Sequence, residues 1–123
     1  MTERVATPVE IRLRRAERLL EVDFDDGARF SLPAEYLRVE SPSAEVQGHG
    51  PNERRTIAGK RHVAVTGVEP VGNYAVRLLF DDGHDTGIFS WEYLYTLGRD
   101  RSGKWDAYVA ALRAGKMSRD PKV

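Results

Sequence analysis

At 123 residues the chain has room for one domain and one hydrophobic core, and too little for a second. Its 19 basic and 19 acidic side chains cancel, so the basic excess with which nucleic-acid binders neutralise phosphates is missing. The absence of cysteine excludes disulfides, thiol catalysis and sulfur-ligated zinc; no apolar run reaches bilayer length, and Met1–Val5 has no apolar signal core, which reads as cytoplasmic.

Residues 1–8 are expected to be flexible and residues 9–115 to form the domain. Val9, Ile11 and Leu13 alternate with Glu10, Arg12 and Arg14, the pattern of a first strand with one charged face in solvent. Leu20, Val22 and Phe24 alternate with Glu21 and Asp23, and Asp26-Gly27 then signals a hairpin turn, because glycine takes the positive φ of a tight turn. Pro33 suits the first turn of a helix, where its missing N–H costs nothing.

Residues 41–61 are the least regular part, with Pro42, Gly48, Gly50, Pro51 and Gly59 among few large apolar side chains. A loop this long is functional, mobile, or a plain surface excursion. Val63, Val65 and Val68 predict a strand near 62–69 with a bulge at Gly67. Then the first pattern returns. Leu20 through Gly27 and Pro33-Ala34-Glu35-Tyr36-Leu37 are echoed by Val76 through Gly83 and Ser90-Trp91-Glu92-Tyr93-Leu94. Tyr74, Val76, Leu78 and Phe80 are expected to repeat the buried face, and Leu79 makes the other face partly apolar, which places this strand at a sheet centre. Ser90 can cap the second helix. Ser102 is expected to cap a third helix, striped by Trp105, Tyr108, Val109 and Leu112 and ended at Gly115. Residues 116–123 are expected to fray. The fold class is therefore α+β, in two layers, with antiparallel strands, short helices and a pseudo-repeated hairpin-helix unit.

The chemistry is sparse. There is no nucleophile elbow, phosphate loop or dinucleotide fingerprint. Asp25-Asp26 and Asp81-Asp82 sit where turns need Asp for backbone geometry, so an acid/base pair is disfavoured. His49, His62 and His84 with Asp81, Asp82 and Asp85 leave a His/carboxylate metal site conceivable against the simpler reading of turn carboxylates beside an exposed His. Arg54, Arg55, Lys60, Arg61 and His62 make a local basic run without interleaved aromatics, which favours a solvated loop or an acidic protein partner over single-stranded nucleic acid.

Leu37 through Val46, Gly48-His49-Gly50-Pro51, and Gly72-Asn73-Tyr74 through Trp91-Glu92-Tyr93-Leu94 resemble the gamma-butyrobetaine hydroxylase-like N-terminal family over about residues 9–98. Members occur alone in small bacterial proteins or ahead of an iron- and 2-oxoglutarate-dependent oxygenase domain, and a related domain is fused to ATPases carrying iron–sulfur clusters. The resemblance implies a zinc site made by three cysteines and a histidine. Placed on this chain, the cysteines fall at Ser41, Ser43 and Val46, and only His84 is retained, so no metal or other cofactor is expected. His84 is instead expected to hydrogen-bond the 41–46 turn. The oxygenase activity does not carry over. His84 and Asp85 are adjacent, without the one-residue gap of the usual ligand pair, and the chain is too short to hold an oxygenase barrel as well. The expectation is a non-catalytic protein-interaction module, accessory to iron–sulfur or cofactor metabolism by analogy, with Ser41, Ser43, His49, Arg54, Arg55, His84 and Asp85 on its binding surface. The alternative is a metal- or small-ligand-binding protein using His84 and the 41–62 loop.

Overall fold

The computed structural model describes residues 5–43, 46 and 55–121. The described strands divide between two antiparallel three-stranded sheets, one for each copy of the echo. The first holds β1 (Pro8–Arg14), β2 (Leu19–Phe24) and β3 (Arg29–Pro33) and leads into helix α1 (Ala34–Val39). The second holds β4 (Val65–Val71), β5 (Ala75–Phe80) and β6 (Gly87–Ser90) and leads into α2 (Trp91–Arg99). Helix α3 (Arg101–Ala114) follows at once. Both β2 and β5 are central strands, as their two-sided burial requires.

The echo in sequence is a two-fold echo in space. Gly27 and Gly83 take φ of 91° and 88° in their turns. Phe24 N–H donates to the Ala28 carbonyl (2.8 Å), and Phe80 N–H to the His84 carbonyl (3.0 Å). Asp25 exchanges hydrogen bonds with the Thr7 backbone, and Asp81 does the same with Ala64. Asp26 accepts from Ala28 N–H (2.9 Å) and Asp82 from His84 N–H (3.1 Å), the short-range turn bonds that favour Asp there. Between the halves the contacts are reciprocal. The Tyr36 hydroxyl of α1 donates to the Leu97 carbonyl of α2 (2.6 Å), while the Tyr93 hydroxyl of α2 donates to the Glu40 carbonyl just past α1. Burial pushes the Tyr36 hydroxyl pKa up, which keeps it a donor.

The core lies between the halves. Leu20, Val22, Leu32, Leu37, Leu78, Phe89, Leu94 and Leu97 are fully enclosed, and burying each such side chain contributes roughly 1.5–3 kcal/mol.

Four expectations need correction. Val9 is exposed because the pairing of β1 with β2 slips between Pro8 and Glu10, so the alternation breaks there. Tyr74 is 56% exposed. It precedes β5 and lays its ring over Gly72, where a Cβ would come within 2.9 Å of the ring edge. Ser102 does not cap α3; the helix starts at Arg101 after Asp100, without a side-chain capping bond. Residues 118–120, expected to fray, run beside residues 59–61: Gly59 N–H donates to Ser118 O (2.9 Å) and Arg61 N–H to Arg119 O (3.0 Å). Ser90 does cap α2, accepting from Tyr93 N–H. The strand near 62–69 is β4, with its irregularity between Val65 and Gly67. No helix among the described residues is long and apolar enough to cross a membrane.

Candidate functional site

The two halves differ most behind their turns. In the first half the ring of Phe30 fills the hollow over Gly98, where a Cβ would lie 2.2 Å from the ring root. Phe30 stacks edge-on with Phe24 (5.9 Å) and Tyr95 (5.4 Å), and Tyr95 reaches out to hydrogen-bond Asp26 (2.7 Å). In the second half the equivalent strand position is Gly87 and the equivalent post-helix position is Ser41. The space beside Phe80 goes to the imidazole of His84, 5.8 Å between centroids. An apolar plug has been replaced by a polar cluster on the same backbone.

That cluster is tightly partnered. Ser41 Oγ and His84 Nε2 lie 2.9 Å apart, and Ser43 Oγ and Thr86 Oγ1 2.8 Å apart, so the segment after α1 is tied to the β5–β6 hairpin at two points. A Cβ on Gly87 would come within 2.5 Å of Ser41 Oγ, and glycine is what permits the approach. Arg38 of α1 donates through Nε to Asp82 (2.8 Å), and Lys60 caps the same carboxylate (2.6 Å). Burial alone would raise the Asp82 pKa. The bonds from Lys60, the His84 N–H and Arg38 outweigh it and hold the carboxyl down to about 2. Arg38 Nη1 is buried with no hydrogen-bond partner.

Ser41, Ser43 and His84 are therefore brought together as expected, but all three are buried, His84 at 4% exposure, and cannot themselves form a surface. The exposed His that the simpler reading assumed is enclosed by its own hairpin. Asp81, Asp85 and Thr86 are the exposed rim of the hairpin, and Arg55 is exposed too. His49 and Arg54 lie outside the described residues. In the basic run, Lys60 is paired with Asp82 and Arg61 with Asp120, so neither is held for a phosphate. Sequence reading missed Arg38, Asp82 and Lys60 as a linked group. The available signal was the position of Arg38, which matches Tyr95 in the echo and so had to reach the opposite turn.

The zinc ligand set implied by the resemblance does not fit these residues. The side chains of Ser41 and His84 bond each other directly, Val46 is a fully buried apolar side chain, and no group of three His, Cys, Asp or Glu that could hold a metal ion occurs among the described residues.

The gamma-butyrobetaine hydroxylase-like N-terminal family model matches residues 11–95. The chain belongs to this family. Two proteins with NMR solution structures share 45% and 46% identity with it at TM-scores of 0.84 and 0.83, covering 98% and 100% of this chain and 94% and 93% of theirs. A crystal structure from Acidithiobacillus ferrooxidans, of a protein of unknown function in the DUF971 family, shares 48% identity at a TM-score of 0.64, covering 75% of this chain and 92% of that one. No curated protein matches.

Proposed function

We propose that the protein is a non-catalytic interaction module whose partner docks on the β5–β6 hairpin rim and the adjoining 55–62 segment. The observation that carries this reading is the locked polar cluster. Ser41, Ser43, Arg38 and Lys60 hold one hairpin rigid from beneath while Asp81, Asp85 and Thr86 stay exposed above it. A preorganised, exposed, mixed-charge rim suits protein recognition, because little entropy is lost on docking. The acidic clusters sit in turns, and the Ser41–His84 pair is enclosed at 0% and 4% exposure, away from any substrate, so the geometry does not favour catalysis. Family analogy favours a partner in iron–sulfur or cofactor metabolism.

The test is quantitative capture of the tagged full chain from lysate, alongside the Asp85→Lys and Arg55→Glu variants. The expected result is a partner that rebinds as a purified protein and is lost from both folded variants. A partner insensitive to both changes, or stoichiometric metal or small molecule in place of a partner, would overturn the proposal and favour the ligand-binding alternative at His84.

A further inference from the structure

Glu35 and Glu92 occupy the same place in the echo, each in the first turn of its helix. Glu92 is exposed, whereas Glu35 is only 7% exposed. The repeated frame does not require a buried carboxylate, so something specific to the first half keeps one there. Arg119 supplies the charge: its Nε and Nη2 donate to the two Glu35 oxygens at 2.8 and 2.7 Å, in the fork that suits a guanidinium. The same guanidinium carbon sits 5.0 Å from the ring centroid of Trp105, on α3. Trp105 is itself fixed by Tyr36 (6.3 Å, edge-on) and Tyr108 (5.2 Å). A carboxylate beside an aromatic face, the face held by two neighbouring rings, is the environment a guanidinium needs. It opens on a cavity of about 330 Å³ that Arg101 and Asp106 also line.

We infer that this is a binding site for an arginine guanidinium, filled here by the chain's own Arg119 as an internal ligand. Backbone hydrogen bonds to Gly59 and Arg61 hold the strap that delivers Arg119, so peeling the strap vacates the site and leaves Glu35 buried without its partner. An arginine presented by a partner protein is the ligand that restores the pair. A tethered competitor has an effective concentration of roughly millimolar order, so an incoming arginine succeeds when its carrier also displaces the strap. Glu35 and Trp105 are not part of the hairpin rim around Asp85 and Arg55, and either reading can fail alone.

The experiment titrates the full-length Arg119→Ala variant with N-acetyl-arginine N-methylamide, following the Trp105 indole N–H by NMR. Saturable binding is expected, about tenfold weaker in the unmodified chain because Arg119 competes, and abolished in Arg119→Ala/Glu35→Gln. The matching lysine amide should bind more weakly, because an ammonium cannot make the fork. Free arginine binding far better than the blocked amide, with loss in Arg101→Ala, would assign the site to the free amino acid and overturn the partner-protein assignment. No saturable binding to the folded variant, or binding unchanged by Glu35→Gln, would overturn the site itself. Should Arg119→Ala fail to fold, Arg119→Gln takes its place in the same titration, and no saturable binding of the probe to that folded variant overturns the inference.

Discussion

Behind Gly27, a phenylalanine ring fills the hollow over a helix-end glycine; behind Gly83, that room holds a histidine bonded to a serine. The turn bonds, helix starts and crossed tyrosines around both are alike. The difference separates what the frame demands from what it tolerates. An apolar plug satisfies the frame at the first turn, so the frame by itself does not dictate a polar cluster at the second. Buried polar groups are costly unless paired; His84 and Ser41 pair with each other and Ser43 with Thr86, while Arg38 Nη1 is left without a hydrogen bond.

Substitutions can break this comparison at graded depth. Phe24→Ala, in the aromatic plug, should cost about 3–5 kcal/mol in denaturant unfolding, with loss of ring contacts and a cavity. A loss under about 1 kcal/mol would mean the plug is not a core element. Gly98→Ala and Gly87→Ala test the two hollows, and each should cost about 1–3 kcal/mol by overpacking. In Gly87→Ala the obstruction is the Ser41 hydroxyl, so adding Ser41→Gly should recover part of the loss; no recovery would show that some other atom blocks the site. Tyr36→Phe and Tyr93→Phe should cost similar amounts, about 1 kcal/mol each, because each removes one hydroxyl-to-carbonyl bond between the halves. Unequal losses, one near zero, would break the claimed reciprocity.

The smallest effect is the pH response. The Asp82 pKa is depressed, so its stabilising contribution is complete above the ordinary carboxylate value of 3.8 and is lost as pH falls through about 2. Amide protection factors at the second turn, with the intrinsic exchange rate at each pH divided out, should therefore fall on acidification over that window, and Asp82→Asn should flatten the response. A carboxyl resonance of Asp82 titrating near 4 would contradict the linked group with Arg38 and Lys60.

Much of the frame was legible because its signals are local. Alternation in Leu20–Phe24 and Val76–Phe80, Asp-Gly turns, and the Ser90 cap each fix structure within a few residues. Val9 and Tyr74 misled because a register slip and a turn over Gly72 decide burial there, and neither is visible in hydropathy. At the candidate site, His84 meeting Ser41 was legible through family resemblance, whereas its burial was not. Whether a residue faces solvent depended on the Phe30-for-Gly87 exchange between copies, a tertiary fact. The burial of Glu35 gave no sign at all, since its partner Arg119 comes from a strap 84 residues away in sequence.

The most direct test of the account compares matched surface changes on the two turns. Asp85 and Arg29 hold equivalent exposed positions after the second and first turns. Affinity for the captured, purified partner should be measured for Asp85→Lys and Arg29→Glu in the full chain. The account predicts at least about a tenfold loss for Asp85→Lys, some 1.4 kcal/mol, and no change for Arg29→Glu. Equal losses from both, or loss from Arg29→Glu alone, would contradict the claim that the second turn is the one built for recognition.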